Sequence, residues 1–439
     1  MKNGHRIQVA CCLFFVGCFL SKQLSAQVSK PINIEVILQD AGASNLTIVE
    51  HRLRYALSVA ELEYASQWWL PNIYVGTTLH QLWGNTLNGD GRIFTNVNRQ
   101  SFWGGAGFNA TWDFTAGKMT TTHAKYASLS LEENQTIKRN EILLECIAAY
   151  YDLLATRMQS TAYAELLNEA QSVVDQLKIQ FEAGILHESD LLLAQSNRMH
   201  LNIKMLDAQK AYITKAGTLK KYLGYDLEST LVLTDSTLLP LNLVDPEIVR
   251  SGPPLTFDTW PDIPQIRSAS YALVSLKNER ELYKSELFVP KLRVGGYTSY
   301  FGDVFTSINP TTEINATLVW ELPMGRILKH GKLETYNAQI SIQNNELKKV
   351  VAENAEEIRT QRSLIGLAKN QAELASEAHL LARKALDQSF ARQKMGTIRP
   401  MEVVQTQEIY LQAKLDYLEA VADYNKAQYR LHVALGNNL

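Results

Sequence analysis

Apolar and polar residues alternate with a period of two in segments 72–79, 102–114 and 313–322. In the second segment the even-numbered residues from Phe102 to Phe114 are apolar or glycine, and the odd-numbered residues from Gly105 to Asp113 are small or polar. This pattern predicts strands whose two faces meet different surroundings. The second run exceeds the roughly nine to eleven residues of a tilted membrane strand. Aromatic residues cluster at the strand ends, as in the girdles of membrane barrels: Trp68, Trp69, Trp83, Phe102, Trp112, Tyr300, Phe301 and Trp320. A soluble four-stranded sheet with one face on a core also explains the alternation.

Very long helices are predicted after the strands. Residues 118–183 contain neither Pro nor Gly, which allows a helix of up to about 65 residues and roughly 100 Å. Residues 326–395 allow a second long helix, interrupted by only two glycines. Each long segment ends at a glycine, Gly184 or Gly396, where the chain turns and a second helix returns antiparallel. Apolar stripes and many alanines favour coiled-coil-like packing of these helices.

Three further segments complete the pattern. Residues 32–70 are predicted to be helical with a break at 42–45. The polar stretch 84–100 predicts a long exposed loop, and 302–310 a shorter one. Residues 225–264 contain six prolines and predict a linker with at most short strands.

The chain is internally duplicated. Leu70-Pro71 before the first strand matches Val289-Pro290, and Trp112-Asp113 with Gly117-Lys118 matches Trp320-Glu321 with Gly325-Arg326. Five residues of the first helical hairpin recur 212 residues later: Gly184, Asp190, Gln195, Tyr212 and Gly224 match Gly396, Glu402, Gln407, Tyr424 and Gly436. The 439 residues are therefore expected to form one pseudo-symmetric body rather than several domains.

The first 26 residues are predicted to be a signal peptide, with a basic start, an apolar middle and a small-residue cleavage site at Leu24-Ser25-Ala26. The alternative is a lipoprotein box ending in Cys18. After the leader only Cys146 remains, which excludes an intramolecular disulfide framework. The formal net charge of −2 gives no electrostatic reason to expect nucleic acid. No later segment has the apolar length of a membrane-spanning helix.

The ordered set of these motifs, present twice, resembles the TolC-type outer membrane efflux protein family over essentially all of the chain after the leader. The resemblance implies an α+β, mostly helical fold: a homotrimer whose four strands per chain make a twelve-stranded barrel in outer membrane lipid of a Gram-negative bacterium, continued by a periplasmic helical barrel. It implies as partners a periplasmic adaptor and an inner-membrane transporter of the RND or ABC type, and no cofactor. The expected organisation is a leader (1–26), a first repeat (27–224; hairpin 70–114, helices 117–223), a linker (225–264) and a second repeat (265–439; hairpin 289–322, helices 326–436).

The resemblance also implies the site residues. Gly184, Asp190, Gly396 and Thr397 are expected at the periplasmic tip, where the adaptor docks. Glu402 and Gln405 are expected at the entrance, where Glu402 forms a three-fold acidic ring that selects cations. Gln405 stands where some relatives have a second acidic residue, so the sequence does not favour two acidic rings. The alternative is that Asp190 and Glu402 only stabilise the amino termini of the returning helices.

Two other classes of protein fit the sequence less well. An enzyme lacks support, because His187-Glu188 has no second His for a zinc helix and Gly105-Ala106-Gly107 lacks the third Gly of a dinucleotide loop. A periplasmic coiled-coil scaffold or adaptor without a barrel predicts a soluble sheet, and no lipoyl-like domain accompanies the helices.

Overall fold

The computed structural model describes residues 29–251, 262–303, 307–322, 324 and 331–439, without the side chains of 250 and 251. The expected signal peptide and the Cys18 box lie outside the described residues, as do Gly325-Arg326 and the predicted helix start at 326.

The chain contains strands of 4 to 20 residues and helices of 6 to 69 residues. The strands are β1 (Ser29–Ile32), β2 (Asn72–Leu87), β3 (Ile93–Trp112), β4 (Thr230–Leu233), β5 (Lys291–Asp303) and β6 (Ser307–Val319). The helices are α1 (Ile34–Ser44), α2 (Leu46–Ser66), α3 (Phe114–Glu182), α4 (Glu188–Leu223), α5 (Pro246–Ser251), α6 (Pro264–Ser285), α7 (Gly331–Lys394) and α8 (Pro400–Ala434).

Polar side chains fix the starts of several helices. Asn33 Oδ1 accepts a hydrogen bond from the Val36 amide at 2.8 Å, and Asn45 Oδ1 accepts from the amides of Thr47 and Ile48. Asn45 alone separates α1 from α2, so the predicted break is shorter than 42–45. Asp113 begins the 69-residue helix α3 by accepting from the Ala116 amide at 2.9 Å. These caps satisfy amides that have no partner within the helix.

The duplication reappears in the helix ends. At Gly184 the amide binds the Phe181 carbonyl and the next amide binds the Gln180 carbonyl. The same pair of bonds occurs at Gly224, Gly396 and Gly436, and all four glycines have φ between 65° and 88°. This is the Schellman motif, in which glycine takes the left-handed conformation without a Cβ clash.

The larger sheet has the order β2-β3-β5-β6, and every neighbouring pair is antiparallel. Its central pair joins the two repeats, since Phe102 of β3 lies opposite Gly302 of β5 and Trp112 opposite Leu292. The outer strands β2 and β6 have no partner on their far edges in the part of the chain that the structure describes.

The loop predictions for 84–100 and 302–310 are wrong. Strand β2 continues to Leu87 and β3 begins at Ile93, with Thr86 opposite Phe94. The register of the two strands shifts between Gly84 and Thr86. Gln81 Nε2 donates a hydrogen bond to Asn98 Oδ1 across the strand pair at 2.7 Å. Polar composition suggested a loop, but backbone pairing between strands does not depend on side-chain polarity. In the second predicted loop, Gly302 and Ser307–Pro310 also belong to strands, and residues 304–306 are not described.

The linker 225–264 contains more structure than predicted. Strand β4 pairs in parallel with β1, and residues 246–251 form the short helix α5. Asn425 of α8 accepts from the Leu241 amide and donates to the Leu239 carbonyl, at 2.8 and 2.9 Å. Gln428 accepts from the Val244 amide at 2.9 Å. The prolines prevent a long helix here, and α8 supplies the hydrogen bonds that the linker backbone lacks.

The main apolar core surrounds the middle of α3. Leu143, Ile147, Tyr150 and Leu154 are buried there against α1, α4 and α8. Two close contacts lie where the first hairpin of the sheet meets the helices. The Trp68 ring packs against Gly117 of α3, where a Cβ would lie 2.2 Å from the ring. Trp112 Nε1 donates a hydrogen bond to the Trp69 carbonyl at 2.6 Å. This close packing explains the glycine that follows Trp-Asp in the first repeat.

Candidate functional site

The candidate site is the end of the two helical hairpins farthest from the large sheet, here called the tip: residues 183–191 between α3 and α4, and 395–405 between α7 and α8. Gly184 and Gly396 occupy equivalent turns there, with φ of 73° and 69°. A Cβ on either glycine would meet no atom within 4 Å. Backbone conformation therefore explains these glycines, and the surface beside them is open.

The returning helices begin in matching ways. The residues before them, His187 and Arg399, have φ and ψ of −74°, 145° and −75°, 142°, and neither makes a side-chain capping bond. Asp190 and Glu402 follow in the first turns, with their amides bonded to the carbonyls of His187 and Arg399 at 3.1 and 3.0 Å. Negative charge is favoured at this end of a helix. The geometry is therefore compatible with the alternative that both acids only stabilise the amino termini of the returning helices.

The two acids differ in exposure within the chain. Asp190 is half-buried, whereas Glu402 and Gln405 are exposed. Within the described ranges no side-chain hydrogen bond or ion pair engages either carboxylate, and the two acids are not joined to each other. Thr397 is tied into its turn by a hydrogen bond from its hydroxyl to the Arg392 carbonyl at 3.1 Å.

One apolar cluster holds the two turns together. Leu191 and Val403, the residues directly after the two acids, both pack into it with Val173, Val174 and Leu177 of α3. Phe390 and Ile398 of the second hairpin lie against the same cluster. The acids thus stand beside one shared core at a similar level along the helices.

The two hairpins differ in the contact between their helices. In the first hairpin Leu177 and Ala194 are buried apolar residues. At the corresponding places, 212 residues later, the second hairpin has Ser389 and Thr406, whose hydroxyls lie 3.1 Å apart. Thr406 also donates to the Glu402 carbonyl at 2.7 Å. The second hairpin therefore buries less apolar surface near its turn and relies on polar contacts instead.

Two buried glutamines beside this contact escaped the sequence-based site prediction. Gln407 is only 1% exposed, and its Oε1 accepts from Asn197 Nδ2 at 3.3 Å. The Nε2 atoms of Gln407 and Gln393 have no partner among the described residues. The sequence marks Gln393 as unusual, because it occupies the position of Phe181 in the first repeat and replaces an aromatic residue by a polar one.

Ion pairs connect the two repeats farther along the helices. Lys414 binds Glu165 at 2.8 Å, Arg383 binds Glu169 at 3.5 Å, and Lys426 binds Asp152 at 2.8 Å. His379 lies between the rings of Tyr410 and Tyr417, at centroid distances of 5.4 and 5.7 Å. Burial, followed by the charges of Lys414 and Arg383, lowers the pKa of His379 below its ordinary value.

The register of the large sheet divides its residues into two faces. Ile73, Phe108, Gly296 and Ile314 form one row of the face here called the apolar face. Asn72, Asn109, Gly295 and Asn315 form a row of the opposite, polar face. The apolar face is not covered within the chain, since Ile73, Val75 and Ile314 are 78%, 82% and 77% exposed. A soluble sheet would pack this face against a core.

Two features are absent from the described residues. No described helix has both the length and the apolar character needed to cross a membrane. No cluster of three or more His, Cys, Asp or Glu side chains in the described ranges has the arrangement of a metal site.

Comparison with known proteins gives a family match and a fold match. Residues 37–225 match the family model described as outer membrane efflux protein. No curated protein matches the chain. Among solved structures, the Campylobacter jejuni CmeC outer membrane channel is 14% identical with a TM-score of 0.74, covering 92% of this chain and 85% of that one. The outer membrane protein VceC from Vibrio cholerae is 14% identical with a TM-score of 0.73, and coverage is 92% and 96%. The open state of the Neisseria gonorrhoeae MtrE outer membrane channel is 14% identical with a TM-score of 0.71, and coverage is 92% and 89%. At this identity the structural likeness shows the fold.

Proposed function

We propose that this chain is a member of the outer membrane efflux protein family and forms a homotrimeric outer membrane channel of a tripartite efflux or type I secretion system. The channel is a passive conduit for solutes that an inner-membrane pump of the RND or ABC type and a periplasmic adaptor deliver to it. The observation that carries the proposal is the exposed apolar face of a sheet whose two outer strands have free edges in the described chain.

The sheet has the dimensions of a membrane wall. From Phe102 to Trp112 the strand rises about 33 Å along its axis, or roughly 25 Å when tilted by about 40°. Free strand edges are not tolerated in lipid, because each unpaired amide and carbonyl costs free energy there. Pairing β2 of one copy with β6 of the next satisfies these edges, and three copies close a barrel of twelve strands. Trp112 and Trp320 at one end and Trp83 and Tyr300 at the other lie on the apolar face and supply the aromatic girdles.

The long helices then form the periplasmic conduit, and the tip forms its entrance. Gly184, Gly396 and Thr397 lie on the open turns and Asp190 lies in the first turn of α4, so an adaptor would have access to this surface. The hydroxyl contact between Ser389 and Thr406 supports a movable second hairpin, because separating a polar contact exposes less apolar surface than separating Leu177 from Ala194.

Glu402 is the proposed selectivity residue of this entrance. Its exposed carboxylate has no cationic partner in the described part of the chain, and three-fold symmetry brings three copies around one axis. Such a ring attracts cations and repels anions. The neighbouring Gln405 adds polarity without charge, and Asp190 is assigned to the docking surface of the first hairpin.

The test has two parts. Outer membranes are separated from inner membranes, and the native mass of the protein extracted in mild detergent is measured; a trimer from the outer membrane is expected, and a soluble monomer contradicts the proposal. The purified protein is then inserted into planar bilayers. Glu402→Gln is expected to lower the cation-to-anion permeability ratio, while Glu408→Gln, an exposed acid on the same helix, serves as the matched control. An unchanged permeability ratio in Glu402→Gln would contradict the proposed position of Glu402 at the entrance.

A further inference from the structure

Three aromatic rings lie side by side on the polar face of the large sheet. The rings of Tyr74 and Trp103 are stacked, with centroids 6.4 Å apart and planes at 28°. Trp103 and Tyr297 meet edge to face, with centroids 6.2 Å apart. The cluster spans β2, β3 and β5, so both repeats contribute to it. Within residues 102–112 of β3, Trp103 is the large aromatic residue on the polar side of the alternation.

Glycines on the same face provide the floor beneath these rings. A Cβ on Gly107 would lie 2.6 Å from Cζ and Oη of Tyr74, and a Cβ on Gly76 would lie 3.7 Å from Cζ3 of Trp103. The two rings therefore cover backbone that carries no side chain, and each turns its other side away from the sheet. Tyr74 is an exposed residue and Trp103 a half-buried one, so part of each ring remains accessible.

A carboxylate completes the cluster. Tyr74, Gly107, Tyr297 and Glu313 form one continuous row across the four strands. Tyr297 Oη donates to Glu313 Oε2 at 2.7 Å. No Lys or Arg forms an ion pair with Glu313 among the described residues. Arg293, on the same face of β5, instead lies 3.7 Å from Glu321.

We propose that this cluster is a subsite for organic cations of the alkylammonium class. The inference rests on the proposed channel, in which the polar face lines the lumen. An alkylammonium group gains from the electron-rich faces of Trp and Tyr and from the unpaired charge of Glu313, and its alkyl groups cover the rings. An anion is repelled by Glu313, and a neutral solute gains nothing from the carboxylate. Three-fold symmetry places three copies of the subsite at one level of the lumen.

The experiment uses the full channel in planar bilayers and tetraethylammonium as the probe. At constant ionic strength, tetraethylammonium is expected to reduce the single-channel current with saturation, whereas the neutral triethylene glycol is not. Glu313→Gln and Trp103→Leu are each expected to raise the half-saturating concentration about tenfold, the size expected for loss of a charge or a cation–π contact. Phe102→Leu, on the apolar face of the same strand, is the matched control and is expected to leave it unchanged.

The outcomes separate this inference from the proposed function. A conducting channel whose current shows no saturable response to tetraethylammonium overturns the subsite and leaves the channel intact. An equal response in wild type and Glu313→Gln also overturns it. Glu313→Gln keeps the size of the side chain and an acceptor for Tyr297, so it tests the charge even where Trp103→Leu fails to insert. Failure of the wild-type protein to conduct at all counts instead against the proposed function.

Discussion

The hydroxyl groups of Ser389 and Thr406 meet at 3.1 Å between α7 and α8, where the first repeat places Leu177 and Ala194. The Ser389 side chain is buried, so its hydroxyl depends on Thr406 for a partner. Two repeats with the same turns and helix starts thus differ in how firmly their helices are held near the tip.

Thr406→Ala tests this contact. The change leaves the Ser389 hydroxyl buried without its partner, which is expected to cost about 1 kcal/mol of stability. The double change Ser389→Ala with Thr406→Ala removes both hydroxyls and is expected to recover most of that loss. The measurement is the apparent melting temperature of the detergent-solubilised protein. Thr218→Ala is the control, because in the described part of the chain the Thr218 hydroxyl bonds only to the Thr214 carbonyl of its own helix. A double variant that is less stable than Thr406→Ala contradicts the interpretation.

Gly396→Ala and Gly366→Ala are expected to change stability in opposite directions. At Gly396 the φ of 69° forces an alanine into the left-handed region, at a cost of roughly 1 kcal/mol. Gly366 lies inside α7 with free space around a Cβ, so alanine there stabilises by up to about 1 kcal/mol. The free energy of unfolding is measured by denaturant titration of both variants. A stabilised Gly396→Ala would show that the turn is not held as described.

Acid is expected to weaken the contact between α7 and α8 through His379. Its folded pKa is lowered from the ordinary 6.5, chiefly by burial and then by Lys414 and Arg383. As the pH falls below about 6.5, the unfolded chain binds this proton before the folded chain does, so stability decreases with falling pH through the folded pKa. The acids Glu165 and Glu169 of α3 pair with the two cations and moderate the effect.

His379→Gln measures that contribution. Melting temperatures recorded between pH 7.5 and 5 are expected to fall less steeply in His379→Gln than in the wild type. His200→Gln, an exposed histidine on α4, is the control and is expected to follow the wild-type profile. Parallel profiles for wild type and His379→Gln rule out His379 as the titrating group.

Cys146 is expected to resist alkylation in the folded protein. The thiol is free and buried, and burial, with a smaller effect of the Glu145 charge, raises the pKa of Cys146 to about 12. Since the thiolate is the reactive form, iodoacetamide at pH 8 should label Cys146 only after denaturation. Ser172→Cys provides an exposed thiol in the same helix and should be labelled at once. Rapid labelling of Cys146 in the folded state would show that α3 opens locally.

The sequence predicted the mostly helical efflux-channel fold, which the structural comparison confirms. The turns at Gly184 and Gly396 were predictable because glycine and helix length are local signals. The extension of β2 and β3 through polar residues was not, because pairing depends on the partner strand. The ring cluster of Tyr74, Trp103 and Tyr297 was also inaccessible, since it requires the register between two repeats. The roles of Glu402, Gln405, Asp190 and Thr397 remain predictions, because nothing in a single chain shows what binds them.

The pairing of Phe102 with Gly302 also dictates an order of events during biogenesis. The central strands of the sheet are separated by about two hundred residues of sequence, so the sheet cannot be completed until the second repeat has been synthesised. Contacts this distant in sequence form slowly, whereas long helices form early. Until then the hairpin of the first repeat exposes an apolar face and an unpaired edge, a combination prone to aggregation. Correct folding of this chain therefore requires protection of the first hairpin while the rest is being synthesised.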